Sequence, residues 1–159
     1  MRENFKIRKA KLQDAKGIHK VILSAFEEYR KYYSSKGFED TVMSEELVLE
    51  RMKNMTIYVA EDKNKNIIGT IGWQKISDKE GHIRGMAVNP KWQGKNSPAS
   101  ALLRTVEEDA FTQTCQFLSL DTTAILQRAQ NFYKKHKFLE TGKTGDFFGS
   151  KIYEYVKYL

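Results

Sequence analysis

The sequence predicts an α/β domain with a sheet of about seven strands and about four helices, and three observations carry that prediction. Strand-like alternation and helical spacing follow one another in the order strand, two helices, three strands, helix, strand, helix, two strands. The 159 residues suit one domain, 1–159, long enough to bury a core without disulfide or metal staples. A composition of 40% hydrophobic and 30% charged residues is that of a globular chain, not a disordered or membrane-embedded one.

Phe5 to Ala10 alternates apolar and charged residues and reads as a half-exposed strand. From Asp14, the residues Ile18, Val21, Ile22, Ala25, Phe26 and Tyr29 recur at helical spacing, which predicts one amphipathic helix to about Tyr33. Ser34 to Gly37 reads as a loop. Ser44 is placed to cap a second helix through Leu47, Val48, Arg51 and Met52, with Glu45 and Glu46 in its first turn, where the helix dipole favours anions. Met55 to Glu61 and Ile67 to Ile76 form a hairpin about the polar turn Asp62 to Asn66, and Gly69 and Gly72 mark a bulge or a close backbone approach.

A strand from His82 to Val88 leads through a loop into a helix carrying Leu102, Leu103, Val106 and Ala110. Then come a strand from Gln116 to Asp121, a helix from Thr123 to about Lys135, and a strand from Phe138 to Thr141. Gly142 to Gly149 is predicted as a glycine-rich loop and Lys151 to Tyr158 as the last strand. No internal repeat or linker interrupts the pattern.

Composition excludes several classes. No apolar run approaches a membrane span and the N-terminus has no signal-peptide core, so a cytoplasmic protein is expected. Cys115 is the only cysteine, which rules out an internal disulfide and a cysteine-based zinc site; it falls in an apolar pattern and reads as buried packing. No histidine and carboxylate pair at ligand spacing indicates a metal. His19 and His136 lie among lysines on helical segments and read as surface residues. The net charge of +7 points to an anionic partner. Nucleic acid is the weaker option, because neither a basic helix nor an aromatic RNA-binding motif is present.

The stretch Val88 to Leu103 holds the strongest chemical signal. A helix N-terminus with unpaired N–H groups favours an anion, and small residues let that anion approach the backbone. Gly94, Ser97, Ala99 and Ser100 are small, and Lys91 and Lys95 add positive charge. An ordinary strand-to-helix turn would use the same Gly and Pro for geometry alone.

The stretch resembles the acetyl-coenzyme A loop of the GNAT superfamily of N-acetyltransferases, in which Val-x-Pro ends a central strand and Q/R-x-x-G-x-G/A opens the next helix. Val88-x-Pro90 and Gln93-Gly94-Lys95 match. The later glycine positions fall on Asn96 and Pro98, or on Ser97 and Ala99 when counted back from Leu102, so the loop is one residue longer than the pattern and lacks its central glycine. A second stretch, Leu120 to Phe138, is similar to the family pattern N-x-x-A-x-x-F-Y-x-K-x-G-F at Ala129, Phe132, Tyr133, Lys135 and Phe138. Leu126 stands at the asparagine position and Lys137 at the glycine position, where φ > 0 is common.

The resemblance implies the GNAT acyl-CoA N-acyltransferase fold, a central mixed, largely antiparallel sheet, and acetyl-CoA as cosubstrate with no metal. It implies an N-acetyltransferase that moves the acetyl group to a primary amine by direct attack. Met86, Ala87, Val88, Gln93, Gly94, Lys95, Asn96, Ser97, Ala99 and Ser100 would then bind the cofactor, with the Met86 and Val88 N–H groups on the thioester side. Tyr133 would protonate the leaving thiolate. A phenol of pKa about 10 keeps its proton at neutral pH, although Ala129, Phe132 and Tyr133 also share one helical face as core residues would. His82 stands where many members carry a glutamate base, with Glu80 and Asp121 as further candidates; a strand histidine facing solvent fits the same pattern. The rival reading is a GNAT-fold acyl-CoA-binding or regulatory module that has lost catalysis. The acceptor is a small-molecule or peptide amine, and its predicted wall is Tyr29, Tyr32 and Tyr33 with Asp146, Phe147 and Phe148. Those residues suit a cationic or aromatic amine, and equally a homodimer contact.

Overall fold

The computed structural model describes residues 4–159. Seven strands form one sheet: β1 (Phe5–Lys9), β2 (Thr56–Asp62), β3 (Ile67–Lys75), β4 (Glu80–Val88), β5 (Phe117–Thr123), β6 (Leu139–Phe147) and β7 (Ser150–Tyr158). Their order is β1-β2-β3-β4-β5-β7-β6, and every pairing is antiparallel except β4 with β5. Those two are parallel because helix α4 (Ala99–Thr112) carries the chain back between them. Helices α1 (Ala15–Phe26), α2 (Ser35–Thr41) and α3 (Glu45–Met52) cover one face. On the other, α5 (Gln127–Lys135) lies beside α4.

Each face buries its own core. Ile71, Trp73, Ile83, Leu118 and Leu120 meet Leu102, Leu103, Val106 and Ala110 of α4, with Phe138 and Tyr155 filling the far end. Opposite them, Ile57, Val59 and Ala87 meet Ile18, Val21 and Ile22 of α1 and Val48 of α3. Full burial of one such aliphatic side chain is worth about 1.5–3 kcal/mol. Asp109 pins α4 to the sheet by accepting from Tyr58 Oη at 2.8 Å and Trp73 Nε1 at 3.0 Å. Cys115 is buried, as expected.

Gly69 and Gly72 serve close approach and a bulge. A Cβ at Gly69 would stand 3.0 Å from Leu102 Cδ1, and one at Gly72 3.1 Å from the Arg84 carbonyl oxygen. Between Thr70 and Gly72 the β3–β4 register slips, so Gly85 and Met86 bulge out of β4.

The predicted element boundaries need four corrections. The first helix ends at Phe26 and continues as a tighter turn over Glu27–Tyr32. The Ser34–Gly37 segment starts α2, because Ser34 is an N-cap whose hydroxyl accepts from the Gly37 N–H at 3.1 Å. The helix expected from Thr123 begins at Gln127, since β5 runs on to Thr123. The glycine-rich loop is strand: Gly142, at φ +89°, lies where the β6–β7 register slips, and Phe148 and Gly149, both at positive φ, make the two-residue turn of the β6–β7 hairpin. The Ser44 cap is present, its hydroxyl accepting from Leu47 N at 3.1 Å.

Candidate active site

The β4–β5 ladder covers only Glu80 to His82 against Phe117 to Ser119, and beyond it the two strands part. Asn89 N–H bonds the Ile68 carbonyl at 2.9 Å, so strand alternation turns the Val88 N–H towards the edge that β5 has left. Two cavities open along this divergence. The first, about 440 Å³, lies between the β4–α4 loop and α5; the second, about 470 Å³, lies over β4 and β5 beside α2 and α3. Phe26, Met86, Leu126, Ala129 and Tyr133 line both, so the cavities meet at those side chains.

The first cavity gathers most of the predicted loop. Met86, Ala87, Val88, Gln93, Gly94, Asn96, Ser97, Ala99 and Ser100 line it, whereas Lys95 is exposed and outside its wall. The loop is held from within. Asn89 Oδ1 accepts from Lys91 N at 2.9 Å, Ser97 Oγ accepts from Ala99 N at 3.1 Å, and Gln93 Nε2 donates to the Val88 carbonyl at 3.0 Å. The extra residue is absorbed by Asn96 at φ +67°, a conformation that asparagine tolerates better than most residues. Gly94 sits at φ +87° with nothing within 4 Å of a built Cβ, so its backbone is open to a ligand.

Two basic groups in this wall escape a linear reading. Arg128 Nη1 donates to Gln93 Oε1 at 2.8 Å, tying α5 to the loop. His136, expected on the surface, is partly buried with Nε2 3.0 Å from Ser100 Oγ, and burial lowers its pKa. His19 is also partly buried, its Nδ1 bonded to the Met43 carbonyl at 2.7 Å.

At the junction Tyr133 is buried, and its hydroxyl donates to Met86 Sδ at 3.2 Å. Burial raises the phenol pKa, so the group carries its proton throughout the physiological range.

The second cavity holds His82. Ser119 Oγ donates to Glu80 Oε2 at 2.6 Å, which uses its only proton; the Ser119 oxygen must therefore accept from His82 Nδ1, 2.8 Å away. This network assigns the proton to Nδ1 and leaves the Nε2 lone pair free. Asp121 Oδ2 is 3.9 Å from Nε2, too far for a hydrogen bond. Burial lowers the His82 pKa despite the opposing attraction of Asp121, and burial raises that of Asp121. Thr122 Oγ1, in the same wall, is buried with no partner among the described residues.

The predicted acceptor wall divides. Tyr33 and Phe147 line the second cavity, Tyr29 lines the first, and Tyr32 and Phe148 are exposed and line neither. Asp146 is spent on the hairpin turn, accepting from Gly149 N at 3.2 Å. Besides Asp121, the charged residues that line the second cavity are Asp40, Arg51 and Arg84, which carried no motif, although Arg84 lies two residues from His82 on the same strand face.

Over residues 19–138 the sequence matches the acetyltransferase (GNAT) family. The chain belongs to the GNAT acetyltransferase family. No curated protein matches its sequence. Solved structures share the fold at low identity. An acetyltransferase from Streptococcus agalactiae is 18% identical, with 99% of this chain and 100% of that one covered at a TM-score of 0.78. The PaiA N-acetyltransferase of Thermoplasma acidophilum, crystallised with coenzyme A, is 19% identical over 94% and 97% of the two chains, TM-score 0.79. A GNAT family acetyltransferase from Elizabethkingia anophelis with acetyl-CoA bound is 18% identical over 99% and 100%, TM-score 0.69. The seven-stranded mixed sheet is that of this family.

Among the described residues of this GNAT chain no helix is long and apolar enough to cross a membrane, and no group of three metal-ligating side chains occurs.

Proposed function

We propose that the protein is an N-acetyltransferase that moves an acetyl group from acetyl-CoA to a primary amine by direct attack. The observation that carries this reading is the meeting of the two cavities at Tyr133 and Met86. One cavity has an anion-accepting loop and helix N-terminus; the other has a histidine with a free lone pair.

The open backbone at Gly94 and the small side chains of Ser97, Ala99 and Ser100 fit the pyrophosphate of acetyl-CoA at the start of α4. Arg128, held by Gln93, adds a cation to that wall. When bound, acetyl-CoA supplies a thioester carbonyl that an amine can attack, forming the C–N bond and releasing a thiolate.

The chain's residues manage the protons. A protonated amine has no lone pair, so it must first lose a proton, and His82 Nε2 is the acceptor, directly or through one water. Ser119 and Glu80 hold the imidazole in the required tautomer. Met86 and Val88 offer N–H groups to the carbonyl oxygen as negative charge develops there. Tyr133 Oη, which faces the junction of the two cavities and donates to Met86 Sδ there, then gives its proton to the departing sulfur.

Calorimetric titration with acetyl-CoA followed by thiol release against a panel of amines tests the proposal. Binding together with amine-dependent release supports it. Binding without release from any amine would make the protein an acyl-CoA-binding module, the reading towards which Leu126 and the altered loop incline.

A further inference from the structure

The acceptor cavity holds more charge than acetyl transfer requires. On its α2–α3 side Arg51 and Arg84 share a single carboxylate, that of Asp40, at 3.4 and 3.5 Å, the outer limit of hydrogen-bond length. Each arginine commits only Nη2 to a partner among the described residues: Arg51 to Asp40 Oδ1 and the Asp40 carbonyl, Arg84 to Asp40 Oδ2. Nε and Nη1 of both stay available. Arg51 is largely enclosed, its side chain 13% exposed, and burial and the nearby Arg84 both oppose its charge. A guanidinium cannot shed that charge by deprotonating. One carboxylate between two guanidiniums therefore leaves a net positive charge in the wall of the cavity.

Across the cavity stands the opposite sign. Ser119 is the register partner of His82, and the parallel strands place Asp121 two residues beyond Ser119 and Arg84 two residues beyond His82. Asp121 and Arg84 thus face each other at one level, roughly 6–7 Å along the strands from the last paired residues. One side attracts an ammonium and the other an anion. A zwitterion matches both, whereas a diamine would bring its second cation against two arginines.

We propose that the acceptor is an aminocarboxylate, whose carboxylate is bound by Arg51 and Arg84 while its amine lies on the His82 and Asp121 side. Guanidinium forks suit this role, because two parallel N–H donors match the two oxygens of a carboxylate. The reaction balances as before. The amine nitrogen bonds the acetyl carbon and the C–S bond breaks; the ammonium loses one proton to His82 before attack and a second from nitrogen after it, which replaces through solvent the proton Tyr133 gives to sulfur, while the carboxylate is unchanged. The substrate class thus rests on the acetyl-transfer reading, but the anion site can be tested apart from it.

Thiol release would be compared across the twenty common amino acids, their carboxamides and 1,4-diaminobutane, with calorimetric binding of the same compounds to the coenzyme A complex. The expected result is at least one amino acid whose kcat/KM exceeds that of its amide and of the diamine by about tenfold or more, the worth of a charge-assisted hydrogen bond. Arg84→Gln should lower kcat/KM for that amino acid about 10- to 100-fold, mainly through KM, and leave the amide within about threefold. Arg84 is nearly half exposed, so folding should survive, and Arg51→Lys gives a second variant that keeps the charge but loses the fork. Amides or the diamine reacting as well as the amino acids would overturn the inference. If nothing releases thiol, calorimetry still decides: amino-acid binding lost in Arg84→Gln retains the anion site and rejects acetyl transfer, whereas no binding by any amino acid rejects the anion site.

Discussion

The cavity beside α4 and the cavity over His82 are nearly equal in size, yet they are built differently. The first draws most of its wall from two continuous stretches, 86–100 and 126–136, with a strip of α1 and its following turn closing it. The second is assembled from the end of α1, α2, α3, α5, five strands and the turn before α2, with Asp40, Arg51, the His82 and Arg84 pair, and Asp121 contributed by four separate neighbourhoods of the chain. A cofactor shared by a family can be met by one local motif at a helix start. An acceptor particular to one protein is met by side chains that only the folded sheet brings together.

The largest effect should come where the two cavities meet. Tyr133→Phe keeps the ring and its packing but removes the one hydroxyl among the described residues that line both cavities. It should lower kcat about 10²- to 10⁴-fold with acetyl-CoA affinity nearly unchanged. Turnover within about threefold of wild type, well below the general-acid range, would show that protonation of the thiolate does not pass through Tyr133.

On the acceptor side, kcat/KM should fall with decreasing pH as His82 takes up a proton and loses its lone pair. Because burial disfavours the imidazolium, that acid limb should lie below the ordinary histidine value near 6.5. His82→Gln should remove the limb and cost about 10²-fold in kcat/KM. A limb that persists in the variant would assign it to another group, Asp121 being the nearest titratable side chain across from Nε2.

On the cofactor side, Gly94→Val should weaken acetyl-CoA binding about tenfold, since a β-branched residue at φ +87° costs 1–2 kcal/mol or more and forces the loop to re-route. Nothing lies within 4 Å of its built Cβ, so the cost to the fold is this backbone strain alone, a fall of roughly 2–8 °C in the thermal midpoint. Equal affinity in a folded variant would detach this loop from the cofactor. The smallest expected effect lies at the end of α5. Lys137→Gly relieves a left-handed residue at φ +74° and should stabilise the fold by about 1 kcal/mol, a rise of roughly 2–4 °C, with kinetics unchanged.

Legibility followed the same division. Strands and helices with a clear period, and the Ser44 cap, could be read directly from the sequence. One residue type serves two local structures at Ser34, which reads as loop but caps α2, and at Gly142 and Gly149, which read as loop but form a bulge and a hairpin turn. His136 looked exposed among lysines, yet the packing of α5 beside α4 brings it to Ser100.

By itself the sequence determined the α/β order apart from α2, and the two motif stretches, because periodicity, capping and loop chemistry act between residues a few positions apart. Tertiary structure alone decided that β4 and β5 part after His82, that Ser119 and Glu80 fix the histidine tautomer, and that Arg51 and Arg84 converge on Asp40 opposite Asp121. Charges and hydrogen bonds couple through distance in space, and residues 40, 51, 84 and 121 have no spacing along the chain that announces they will meet.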